Sequence, residues 1–215
     1  MKKTLLILSI MTLFFVGCKK DDMFEKGDMG VVNGHAWVDL GLPSGTKWAT
    51  CNVGANSPEE YGNYYAWGET SSSSNCSNFG LSISRLQSLG YIDGEGNLTP
   101  QYDAAKANWG GAWRMPTKTE LEELINNCTW TWITQNGVKG RSVQGPSGAS
   151  IFLPAAGFRG ASSLSNVGSY GGYYWSSAPD GNGGYDAYNL CFSSVSHSMS
   201  DYFRSHGLSV RPVLE

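Results

Sequence analysis

The chain has 215 residues, 15 basic and 18 acidic side chains and a net charge of −3. A mildly acidic chain carries no electrostatic footprint for nucleic acid, which removes that class of partner. Charged residues make up only 15%, whereas 28 residues are glycine and 13% are aromatic; this argues for a loop-rich globular domain with large aromatic side chains in its core, and against disorder.

In chain order, Lys2 and Lys3 form a positive start, residues 4–16 an apolar run, and Gly17-Cys18 its end. The run is shorter than the about 20 residues a membrane-spanning helix needs. Charge, apolar run and small residue together predict a secretory signal peptide over residues 1–17. Phe15-Val16-Gly17-Cys18 resembles a lipobox, with Phe where Leu is usual, and implies an acylated (palmitoylated) Cys18 as the mature N-terminus. Lys19-Lys20-Asp21-Asp22 resembles the tag that sends lipoproteins of Bacteroides-type bacteria to the outer face of the outer membrane; the plain alternative is a solvated charge cluster. Loss of Lys2 and Lys3 takes the net charge from −3 to −5. Membrane attachment is then through the lipid anchor alone.

Residues 18–33 read as a polar tether, and one domain is expected over residues 34–215. Residues 35–40 and 46–52 predict two strands around Gly41-Leu42-Pro43-Ser44-Gly45. Ser57-Pro58-Glu59-Glu60 reads as the start of a short helix. Residues 69–100 are the least regular, 103–109 a short helical run, and 117–127 the clearest helix. Thr117 with Glu120 three residues on forms a capping box, and Leu121, Leu124 and Ile125 make one apolar face. Asn136-Gly137 predicts a hairpin turn between Trp130/Trp132 and residues 138–143. Strands are further expected over 150–154, 171–177, 187–193 and 208–213. Early helices and late strands argue an α+β fold.

Besides Cys18 there are four cysteines, Cys51, Cys76, Cys128 and Cys191, in a protein sent along an oxidising route. Free thiols are the simplest reading; if one bridge exists, Cys51 with Cys128 is the favoured pair among three possible connectivities. No Cys/His spacing suggests zinc, and the three histidines are scattered, so neither metal nor cofactor is expected.

A set of motifs then carries a resemblance. Val38-Asp39-Leu40-Gly41-Leu42-Pro43-Ser44-Gly45-Thr46-Lys47-Trp48-Ala49, Tyr65-Ala66-Trp67-Gly68-Glu69, Trp113-Arg114-Met115-Pro116-Thr117, Leu153-Pro154-Ala155-Ala156-Gly157, Tyr174-Trp175-Ser176-Ser177 and Ser209-Val210-Arg211-Pro212-Val213 follow in order. Together they resemble the Fibrobacter succinogenes major paralogous domain family, common in lipoproteins of Bacteroides-type bacteria. The resemblance implies a C-type-lectin-like fold with short strands, two helices, long loops and a strand pair joining the two ends of the domain. From the residues themselves, each motif reads as core or turn architecture rather than chemistry.

Three function classes compete for this chain. An enzyme related to the formylglycine-generating proteins of that fold would need paired metal-binding cysteines, and the four here show no matching motif. The Glu120-Leu121-Glu122-Glu123 acids read as a solvated helix face. A calcium-dependent lectin would need a Glu-Pro-Asn or Gln-Pro-Asp triplet, and Ala178-Pro179-Asp180 is a poor substitute. A metal-independent binding or adhesion module fits the C-terminal stretch, where small polar and aromatic residues mix as in antibody paratopes. The alternative is a plain polar loop.

Residues 178–213 contain no Lys, Glu, Gln or Trp, although the chain has 9, 9, 4 and 8 of them, so about five would be expected there. That gap matches the residue set left when a diversity-generating retroelement rewrites Asn codons, as in some proteins of that fold. On this reading Tyr188, Leu190, Phe192, Met199, Arg204 and residues 209–213 are fixed scaffold. The exposed ligand-contacting set is Asn189, Cys191, Ser193, His197, Ser198, Asp201, Tyr202, Phe203, Ser205 and His206, with Tyr202 and Phe203 as anchors. The expected ligand is a protein or glycan on another cell or a phage.

Overall fold

The computed structural model describes residues 27–72, 76–160, 163–168, 171–182 and 184–214. The expected signal peptide, Cys18 and the Lys19-Lys20-Asp21-Asp22 run lie outside the described residues.

Strands β1 (Met29–Val32), β2 (His35–Asp39) and β3 (Lys47–Ala49) form an antiparallel meander, closed by β12 (Val213–Leu214) against β3. Asn33 and Gly34, both at positive φ, make the β1–β2 turn, a geometry that Asn and Gly tolerate best. Part of the expected tether is thus a strand. β12 pairs Val213 with Trp48, so the last strand locks onto the first sheet.

Three short helices follow: α1 (Ile83–Ser88), α2 (Ala104–Trp109) and α3 (Lys118–Asn127). Ser82, Asp103 and Thr117 cap them through side-chain oxygens. Thr117 and Glu120 make the reciprocal capping box expected of them. Residues 57–60 form only turns and bends, since one helical turn does not recover its nucleation cost.

β4 (Thr129–Gln135), β5 (Val138–Gln144) and β6 (Ser150–Pro154) form a second antiparallel sheet, turned at Asn136-Gly137, both at positive φ. The two-residue β7 (Phe158–Arg159) and β8 (Leu164–Ser165) pair with each other. The remaining sheet has the order β11-β10-β9, from β9 (Gly172–Pro179), β10 (Asp186–Phe192) and β11 (His197–Phe203).

The α+β, C-type-lectin-like expectation with two helices is corrected here. Of the described residues 37% are strand and 12% helix, with four small antiparallel sheets and three short helices among them, an all-β character. Much of the difference lies in β11, with β1, β7 and β8 adding to it. The Ser-rich composition of β11 disguises a strand whose pairing is supplied by β10.

The β11-β10-β9 sheet sits between two cores. Tyr174, Leu190 and Phe192 pack with Trp48, Leu121 and Val143 on one side. Trp175 and Ala187 pack with Trp67, Trp113 and Leu208 on the other. The sheet is therefore covered on both faces along β9 and β10, and only its outer strand, β11, is partly open. The motif residues Trp48, Trp67, Trp113, Trp175 and Arg211 are all fully buried.

Candidate ligand-binding site

The β10–β11 register alternates the C-terminal residues between two faces. Ala187, Asn189 and Cys191 oppose Tyr202, Ser200 and Ser198, on the face of the Trp175 core. Asp186, Tyr188, Leu190 and Phe192 oppose Phe203, Asp201, Met199 and His197, on the face of the Tyr174 core. Side chains alternate with period two along a strand, so the sequence-derived set cannot form one contiguous face.

Asn189 was expected to be exposed and is not: its relative exposure is 0%. It lies on the central strand, opposite Trp175 on β9 and Ser200 on β11, under the packed aromatic layer. Cys191 and Ser193 are half-buried, Cys191 with its Sγ 3.6 Å from Ser198 Oγ. Ser193 closes the hairpin loop, donating its N–H to the Ser196 carbonyl, while Arg141 Nε donates to the Ser193 carbonyl. His197 stacks on Trp130 with centroids 4.6 Å apart. Met199 packs against the Tyr174 core, as a scaffold residue should.

The opposite end of the hairpin gathers Asp201, Tyr202, Phe203, Ser205 and His206. Tyr202 leans into a nest formed with Phe158 and Tyr173, at centroid distances of 5.1 and 5.5 Å. His206 meets Tyr202 edge-on at 5.1 Å and stacks with Phe203 at 5.8 Å. Phe203 stays 51% exposed. Asp186, Asp201, Tyr202, Phe203 and His206 line a cleft of about 340 Å³. Phe158, Tyr173 and Asp186 were not singled out from the sequence, because they come from three separate elements and no local spacing links them.

The electrostatics of this cleft are acidic. Burial, and then the neighbouring Asp201 and Asp180 carboxylates, push the Asp186 carboxyl above the usual range, with Arg204 offsetting part of this. Arg204 itself is fully buried. Its Nε donates to the Asp186 carbonyl at 2.9 Å and its Nη1 to the Leu81 carbonyl at 3.0 Å, and its guanidinium lies 5.0 Å from the Trp67 ring centre. Burial holds the His206 imidazole below its ordinary value, which favours a neutral ring near pH 7. Among the described residues, Asp180, Asp186 and Asp201 take part in no ion pair.

A second cleft of about 330 Å³ is lined by Asp93, Asp103, Lys106, Arg114, Trp113 and others. Several of its charges serve the fold. Asp93 accepts the N–H groups of Glu95 and Asn97, Asp103 those of Lys106 and Met115, and Arg114 pairs with Glu120. Glu120, expected on a solvated helix face, is buried and also accepts from Thr46.

His35 stacks on Trp109 at 3.7 Å, so all three histidines lie against aromatic rings. Among the described residues no three His, Cys, Asp or Glu side chains gather to hold a metal. No helix among them is long and apolar enough to cross a membrane. Cys51, Cys76, Cys128 and Cys191 are all free, in line with the free-thiol reading, and the conditional Cys51–Cys128 pair is not formed.

Comparison with known families matches residues 119–213 to a domain of unknown function, DUF8237. The matched segment runs from α3 to β12 and so contains the whole hairpin and its cleft. Comparison with curated proteins and with solved structures gave no match.

Proposed function

We propose that this chain is a non-enzymatic, metal-independent ligand-binding or adhesion module. It is anchored by acylated Cys18 in the outer membrane, faces the medium, and is related to the Fibrobacter succinogenes major paralogous domain proteins. The observation that carries the reading is the cleft at the end of β10–β11. There the half-exposed Phe203 ring and two unpaired aspartates stand on a scaffold whose other aromatic residues are largely packed. An exposed ring beside carboxylates that no cation pairs offers a ligand apolar contact area and negative charge in one place. The absence of Lys, Glu, Gln and Trp from residues 178–213 supports a diversified face; the buried Asn189 is removed from it.

The test is an array of glycans and cell-surface proteins probed with the full lipoprotein and with Phe203→Ala/His206→Ala. Hits that the double variant loses, with its melting unchanged, support the site. Hits retained in full by the variant remove the cleft from the reading. Anchoring is tested separately by intact-mass analysis of the membrane fraction, where diacyl or triacyl mass on Cys18 is expected; unlipidated protein in the periplasm would refute it.

A further inference from the structure

The cleft does not stand alone. It opens beside the free edge of β11, the outer strand of its sheet, and no other strand among the described residues pairs with that edge. The register fixes which groups point outward. Ser193 N–H bonds to the Ser196 carbonyl and Arg204 N–H to the Tyr185 carbonyl, one at each end of the hairpin. In an antiparallel ladder, hydrogen-bonded pairs alternate with unbonded ones. The ladder bonds therefore fall on Ser198, Ser200 and Tyr202, and the N–H and C=O of Met199 and Asp201 turn to the open side. An open edge of seven residues is a template for another extended chain unless something blocks it. β11 carries no Pro, Lys or Glu that would block it.

We propose that β11 receives an extended basic segment of a partner polypeptide, which adds as a fourth strand and places a lysine or arginine side chain in the Asp186–Asp201 cleft. This inference rests on the binding-module reading and names the ligand class of that same site. Three observations converge on it. The edge supplies main-chain hydrogen bonds, the affinity source of strand addition. Asp186 and Asp201 supply negative charge, and the neighbouring Arg204 is turned inward onto the carbonyls of Asp186 and Leu81 and onto Trp67. Phe203, half-exposed on the same face as Asp186 and Asp201, supplies a ring on which a cation is attracted by the aromatic quadrupole.

The experiment measures binding of labelled short peptides to the full chain in detergent. One peptide alternates threonine and lysine, a second replaces every lysine with glutamate, and a third keeps the lysines but is N-methylated at alternate backbone positions. The lysine peptide is expected to bind, and the glutamate peptide at least about tenfold more weakly. N-methylation, which removes strand pairing and leaves the charge, is expected to cause a comparable loss. Asp186→Asn/Asp201→Asn is expected to weaken the lysine peptide by about tenfold or more; if that variant misfolds, the three peptides on the unaltered chain carry the test alone. Absence of binding by the lysine peptide, or equal binding of the glutamate peptide, overturns the proposal. Full binding of the N-methylated peptide overturns strand addition. Array hits confined to glycans and lost in Phe203→Ala/His206→Ala would overturn this inference while leaving the binding-module reading intact.

Discussion

Tyr202 and Phe203 are consecutive in the chain and lie on opposite faces of β11. Tyr202 opposes Ala187 and enters the nest of Phe158 and Tyr173, whereas Phe203 opposes Asp186 and remains half-exposed. The two residues expected to act together as anchors therefore have different jobs. Tyr202→Ala should cost about 2 kcal/mol through lost aromatic packing. Phe203→Ala should change stability by no more than about 0.5 kcal/mol, as an exposed side chain does. Thermal melting of the two single variants checks this, and equal losses would show that Phe203 is part of the core.

Trp175 is fully buried, and its indole N–H donates to the Tyr65 carbonyl at 2.7 Å. Trp175→Ala should cost about 3–5 kcal/mol, chiefly through the lost indole volume, since the Tyr65 carbonyl keeps the Leu208 N–H as donor. Denaturant titration gives the value. A loss below about 1 kcal/mol would mean that the two cores do not depend on it.

Arg211 is fully buried and places its guanidinium on four acceptors: Asn52 Oδ1, and the carbonyls of Ala49, Thr50 and Phe152, at 2.9 to 3.0 Å. It ties the first sheet to β6 by a planar fork that lysine cannot copy. Arg211→Lys and Arg211→Met should each cost more than about 3 kcal/mol and reduce soluble yield. A well-folded Arg211→Lys protein with unchanged melting would refute this role.

Burial pushes the Glu120 carboxyl up, but the hydrogen bonds and charge of Arg114, with bonds from Thr117 and Thr46, outweigh it and hold Glu120 below the usual carboxylate range. Because the folded value is the lower one, Glu120 contributes stability above its unfolded value, and that contribution is lost as pH falls through the folded value. Glu120→Gln should cost about 2 kcal/mol at neutral pH and flatten the decline of stability on acidification below about pH 4.5. Urea melts across that range test it; an unchanged acid limb in the variant would count against the network.

Burial pushes the Cys76 and Cys128 thiols up to about 11. The thiolate is the reacting form, so both should alkylate about a hundredfold more slowly at pH 8 in the folded chain than in denaturant. Non-reducing peptide mapping should find no Cys51–Cys128 bridge, and finding one would contradict the free-thiol arrangement.

Local rules carried much of the chain. The capping box at Thr117 and Glu120, the Asn136-Gly137 turn and the burial of Trp113 and Trp175 were legible, because caps, turns and large apolar side chains act within a few residues or by composition. What escaped depends on pairing at a distance. β11 looks like a polar loop until β10 lends it a ladder; Asn189 looks like a surface amide until β9 and β11 place it in the middle of a sheet packed on both sides; and Glu120 looks solvated until Arg114 and Thr46 close over it. The sequence determined the inventory of the site, its aromatics, aspartates and small polar residues. The tertiary structure decided which of them share a face, because a strand assigns alternate residues to opposite sides and only its register with a neighbour says which side meets the core.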